Sequence, residues 1–156
     1  MTMIDVYGFG KLLDAIVTVR PTGQSYKCRE KRAALTVGND CDSEIAFVRL
    51  DKGFYPEGNA CDYSITAQKA SPYGFLLELK GRHMKDAINQ LSNTLSRLKT
   101  DARNVCYHQV CVISSGAQKI PSADWEKFQQ AFLRKHHVRL VRSPNNSCVD
   151  FSKLAV

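Results

Sequence analysis

The stretch HMKDAINQLSNTLSRLK (83–99) carries apolar residues at Met84, Ile88, Leu91, Leu95 and Leu98, spaced four, three, four and three apart. That period places all five on one stripe of an α-helix, which is stable only where another surface covers it. The runs on either side, GFLLELK (74–80) and VCYHQVCVISS (105–115), read as strands. Two earlier strands are expected at IAFVRLD (45–51) and ACDYSIT (60–66), separated by a loop with Gly53, Pro56 and Gly58. After Pro121, Ser122 can cap a second helix in which Trp125, Phe128 and Phe132 share a face, and VRLVR (138–142) closes the series. The order strand, strand, strand, helix, strand, helix, strand predicts an α/β fold: a central mixed β-sheet flanked by helices.

A chain of 156 residues suits one domain with an ordinary core, here centred on 45–142. Residues 1–40 are harder to assign. GKLLDAIVTV suits a short helix or a strand, and CREKRAALTV (28–37) joins helix formers to a β-branched tail. The tail from Pro144 has no clear pattern. No apolar run approaches the roughly 20 residues that span a bilayer, and the first residues lack an export-signal pattern. Six cysteines show no CxxC pair. Together these features predict a cytoplasmic protein with reduced thiols and no membrane partner. Zinc at Cys28, Cys41 and Cys61 would have the wrong spacing for a ribbon or finger, and Cys61 is more simply a small core residue.

The formal net charge is +7. Its excess clusters at Arg20, Lys27, Arg29, Lys31 and Arg32, and again at Arg134, Lys135, Arg139 and Arg142. Such patches suit a polyanion, because each phosphate neutralised releases condensed counterions. A solvated basic surface with no partner has the same composition.

One strand breaks the apolar pattern. Glu78 and Lys80 lie two apart in FLLELKG, so they share a strand face, with Phe75, Leu77 and Leu79 on the other. If the strands of 60–66 and 74–80 pair antiparallel about a turn centred near Ala70, opposed residue numbers sum to 140. Asp62 then faces Glu78, with Cβ atoms about 4.5–5.5 Å apart. On this register Asp62, Glu78 and Lys80 occupy the polar face beside small Ala60 and Ser64, while Cys61, Tyr63 and Ile65 join the apolar face. Opposed carboxylates repel and destabilise a sheet unless something compensates. A hard divalent cation does so: Mg²⁺ is held by one or two carboxylates, waters and substrate phosphates. A lysine beside it can stabilise transition-state charge or help position the attacking water. The cluster has the parts for metal-assisted phosphodiester hydrolysis.

Asp62, fifteen residues and then Glu78-Leu79-Lys80, with a helix following, resembles the PD-(D/E)XK nuclease superfamily. The string ELKG before a helix containing DAINQL is similar to its small resolvase-like and defence-associated bacterial members. The resemblance covers 45–115 well and the N-terminal part poorly. It implies a restriction-endonuclease-like core and an Mg²⁺- or Mn²⁺-dependent nuclease acting on DNA in preference to RNA, in antiviral defence or DNA processing. Asp62 and Glu78 would hold the metal and Lys80 would assist the water. Gln90, on the helix, sits where several such families keep a glutamine near the metal. The family often adds a glutamate from its first helix, with Glu30 the first choice here and Glu44 the second. Arg29, Lys31, Arg32, Arg134, Lys135 and Arg139 would hold the nucleic-acid backbone. A chain this small leaves specificity to substrate structure, a homodimer or a partner protein. The alternative is a non-cleaving nuclease-fold subunit that binds nucleic acid or regulates a larger complex.

Lesser candidates are His108, on the strand after the helix, for approach to the active edge, and His136 and His137 at a basic helix end and Ser114-Ser115 at a strand end for contact with phosphate.

Overall fold

The computed structural model describes residues 2–80, 83–114 and 121–156, with the backbone alone described at Lys80 and Ser114. The chain opens with short strands: β1 (Met3–Val6) and β2 (Gly10–Leu13) form a hairpin, a 3-10 turn leads to β3 (Val17–Arg20), and β4 (Ser25–Glu30) and β5 (Ala33–Gly38) form a second hairpin. There follow β6 (Ile45–Arg49), β7 (Tyr63–Ala67), β8 (Tyr73–Lys80), α1 (Met84–Asp101), β9 (Cys106–Ser114), α2 (Ser122–His136) and β10 (Arg139–Ser143), then β11 (Ser147–Asp150) and the short α3 (Phe151–Ala155).

From β6 to β10 the observed order is the expected one, and the fold is α/β with a mixed sheet flanked by helices. Among the described residues, six strands form the main sheet in the order β10-β9-β8-β7-β6-β3. β8, β9 and β10 run parallel, and β3, β6, β7 and β8 pair antiparallel. Parallel neighbours need a crossover, which α1 and α2 supply.

CREKRAAL supplies no helix. Cys28, Arg29 and Glu30 end β4, Lys31 turns the chain at φ 49°, and Ala33 begins β5. Packing overrides helix propensity here: Cys28, Ala33, Leu35 and Val37 are all buried against the main sheet. The tail from Pro144 adds β11 beside β5, giving a second sheet in the order β11-β5-β4.

The main sheet is therefore covered on both faces. Leu91, Leu95 and Leu98 of α1 and Trp125 and Phe132 of α2 pack over Ala46, Val48, Leu76, Val110 and Val112. The second sheet and Phe151 pack over the opposite face, on Phe47, Ile65, Phe75, Leu77 and Ile113. Met84 and Ile88 complete the α1 stripe as partly buried residues.

Helix α2 begins at Ser122 itself, with Pro121 in the N-cap position and no side-chain cap bond. The expected Ser122 cap is thus displaced by one residue. No helix among the described residues is long and apolar enough to cross a membrane.

A candidate carboxylate site at the end of the sheet

The β7–β8 ladder pairs Tyr63 with Leu77, Ser64 with Leu76, Ile65 with Phe75 and Thr66 with Gly74. Every pair lies on the register in which opposed numbers sum to 140, as expected from the turn near Ala70. Gly74 is what permits the close pairing: a Cβ there would come 1.8 Å from the carbonyl oxygen of Ile65.

One step beyond the ladder, Asp62 meets the end of β8. Its Oδ2 accepts a hydrogen bond from the Leu79 backbone N–H at 2.7 Å, and its side chain is hydrogen-bonded to that of Glu78. A hydrogen bond between two carboxyl groups needs one proton between them. Asp62 is held above the usual carboxylate range, first by burial and then by the nearby Glu30 and Asp51 carboxylates, partly offset by the bonds from Glu78 and Leu79.

Both carboxylates of this hairpin are buried. Asp62 is 7% exposed and Glu78 4% exposed, because α1 covers the face that carries Ser64, Thr66, Leu76 and Glu78. The strand pattern alone cannot report that cover. Its polar residues find protein partners instead of water. Ser64 Oγ lies 2.7 Å from the Tyr107 hydroxyl, and Thr66 Oγ1 accepts from Gln68 Nε2 at 3.1 Å.

Cys61 also departs from expectation. β7 starts only at Tyr63, so alternation fails over 60–62, and Cys61 packs in the helix-side core rather than with Tyr63. Its N–H donates to Thr94 Oγ1 at 2.8 Å, and Thr94 donates onward to the Gln90 carbonyl at 2.7 Å. A helix side chain thus anchors the residue next to Asp62. Neither Thr94 nor its role is signalled by the strand pattern; only its place on the Ala87–Leu91–Leu98 stripe points to a buried hydroxyl.

Gln90 is half-buried, one turn before Thr94 on the same side of α1. Lys80 ends β8 two residues after Glu78, opposite Ser114 of β9. Glu30, in the segment left unassigned from sequence, stands at the end of β4 and pairs with Arg49 Nη2 at 2.8 Å. It lies within electrostatic reach of Asp62. Glu44 precedes β6 at the far end from Arg49 and so is remote from Asp62.

The basic residues divide. Arg29, Lys31 and Arg32 flank Glu30 at the end of the sheet that holds Asp62. Arg134 and Lys135 end α2, and Arg139 starts β10. Arg139 aligns through Gln109 with Phe75, about 10 Å back along the strand direction from Glu78 at ~3.3 Å per residue. The two clusters do not form one surface around the carboxylates.

The lesser candidates separate from this site. His108 is exposed beside Cys106 and Tyr73, at the opposite end of β8. His136 is buried between the helices, 2.7 Å from Ser92 Oγ, and its ring is tilted against that of Phe132. His137 adopts the left-handed conformation that terminates α2. Ser115 lies outside the described residues, as does the side chain of Ser114. Cys28 and Cys61 are buried on opposite faces of the main sheet, which separates the three-cysteine zinc set.

The donor set at the sheet end is all oxygen, which fits a hard divalent cation in kind. Asp62 and Glu78 would hold it, with waters completing the shell. Among the described residues no three His, Cys, Asp or Glu side chains already gather as a metal cluster. No protein-family model, curated protein or solved structure matches the chain.

Proposed function

We propose that this chain is a Mg²⁺- or Mn²⁺-dependent nuclease, built on a restriction-endonuclease-like core, that hydrolyses phosphodiester bonds in DNA. The observation that carries the reading is the buried Asp62–Glu78 carboxyl pair where β7 begins and β8 ends. Holding two carboxyl groups together in a dry place is unfavourable for a scaffold. It is useful where a divalent cation takes the place of their shared proton.

A bound divalent cation would supply Lewis acidity toward the phosphate. The remaining work falls to the chain. Asp62 is oriented by the Leu79 N–H and, through Cys61, by Thr94. Glu78 is fixed by its strand. Lys80 follows on the same strand as a cation for developing charge or as a partner for the attacking water. Gln90, half-buried on α1, would orient that water. Arg29, Lys31 and Arg32 supply a basic approach to the same end of the sheet.

A second reading, a non-cleaving nucleic-acid-binding or regulatory subunit, is favoured by one observation: Glu30 is engaged by Arg49 and the two central carboxyls by each other. Incubation with plasmid, linear and branched DNA plus Mg²⁺ or Mn²⁺ separates the two. The nuclease reading expects metal-dependent cutting, lost in Glu78→Ala and in Lys80→Ala. Binding that persists in EDTA and in Glu78→Ala, with no cutting of any substrate, selects the subunit.

A further inference from the structure

Arg49 ends β6 in the main sheet and Glu30 ends β4 in the second sheet, yet their side chains meet at 2.8 Å. The Arg49 guanidinium also stands 5.9 Å from the ring of Tyr63, its partner across the ladder. Both charged groups are partly exposed, at 37% and 31%. Such a pair is weak and exchangeable, since water screens it and two side chains must be ordered to hold it. Its location is what sets it apart. The Glu30 carboxylate and the Arg49 guanidinium each act electrostatically on Asp62. Beside the buried carboxyl pair, one carboxylate and one cation therefore neutralise each other.

We propose that the Arg49–Glu30 pair is a substrate-operated latch: a phosphodiester takes Arg49 and thereby releases Glu30 toward Asp62 as a further carboxylate at the sheet end. The inference rests on the nuclease reading above. A guanidinium offers two parallel N–H groups that match two phosphate oxygens as well as a carboxylate. Once released, Glu30 is an uncompensated anion beside Asp62, which is itself held against Glu78. That state is unfavourable unless a divalent cation is present. Phosphodiester and metal binding are then positively coupled, and linkage makes the coupling reciprocal. Without substrate, Arg49 retains Glu30 and the metal has two carboxylates.

The test is a calorimetric titration of Ca²⁺ with and without a short DNA duplex, corrected for Ca²⁺ taken up by the duplex alone. It is made in the Lys80→Ala protein, which on the nuclease reading leaves the duplex intact. Ca²⁺ should bind roughly 5- to 150-fold more tightly with duplex present, the range usual for coupled sites. Adding Glu30→Gln should keep Ca²⁺ binding but remove most of this gain. Adding Arg49→Gln should tighten Ca²⁺ binding without duplex and leave little further gain. An equal gain in the Glu30→Gln protein, or no gain in its parent, overturns the latch. If the protein carrying Lys80 cuts DNA with metal while the gain is absent, the latch alone falls. If that protein neither cuts nor binds Ca²⁺, the nuclease reading falls and takes the latch with it.

Discussion

Asp62 serves two neighbours at once: it accepts from the Leu79 N–H and shares a hydrogen bond with Glu78. Asp62→Ala leaves a buried N–H without its acceptor and should cost about 1–3 kcal/mol of stability. Glu78→Gln keeps a hydrogen-bonding side chain and should cost less. Urea denaturation of both variants checks the order. His136 provides the clearest pH dependence. Its imidazole is held below the usual histidine range, first by burial and then by Lys135 and Lys99, and Nδ1 is buried without a hydrogen-bond partner. The neutral ring is thus favoured in the fold. Stability is complete above the unfolded value of about 6.5 and is lost as pH falls through the lower folded value. Melting temperatures at pH 7.5 and 5.5 should show a drop that is smaller in His136→Gln.

At the scale of elements, the site depends on register, and the register depends on Gly74. Gly74→Ala drives a Cβ into the Ile65 carbonyl, and should cost on the order of 3 kcal/mol by overpacking. A loss much below 1 kcal/mol in chemical denaturation would show that the hairpin tolerates a shift. The register itself was readable because period-two alternation and one turn leave a single pairing that buries Phe75 and Leu77 together. The cover over Glu78 comes from α1, the next element along the chain, and the strand pattern alone does not say which face that helix covers. Glu30 lies in a segment whose element was not legible, and it stands at the end of β4. Helix formers in CREKRAAL conceal a hairpin whose reason is the buried Cys28, Leu35 and Val37. The tie from Thr94 to Cys61 was equally hidden, because nothing local distinguishes a buried threonine that serves another segment.

For the whole molecule, the division of basic residues makes the charge argument sharper than net charge allows. Arg29, Lys31 and Arg32 share the sheet end with Asp62, whereas Arg134, Lys135 and Arg139 lie behind it. Replacing Arg29, Lys31 and Arg32 by Gln should weaken DNA binding and make it less salt-dependent. Each phosphate contact removed lowers the slope of log K against log salt by about 0.9. The same change at Arg134, Lys135 and Arg139 should alter that slope less. Equal effects of the two triplets, measured by fluorescence anisotropy across salt concentrations, would place the nucleic acid elsewhere.

The central claim is that two buried carboxyl groups hold a divalent metal for phosphodiester hydrolysis, and metal binding tests it most directly. Titration of Mn²⁺ into the protein, followed by the loss of the free-ion electron paramagnetic resonance signal, should reveal a site in the wild type that disappears in Glu78→Gln. Binding that is absent from the wild type, or unchanged in Glu78→Gln, would contradict the account.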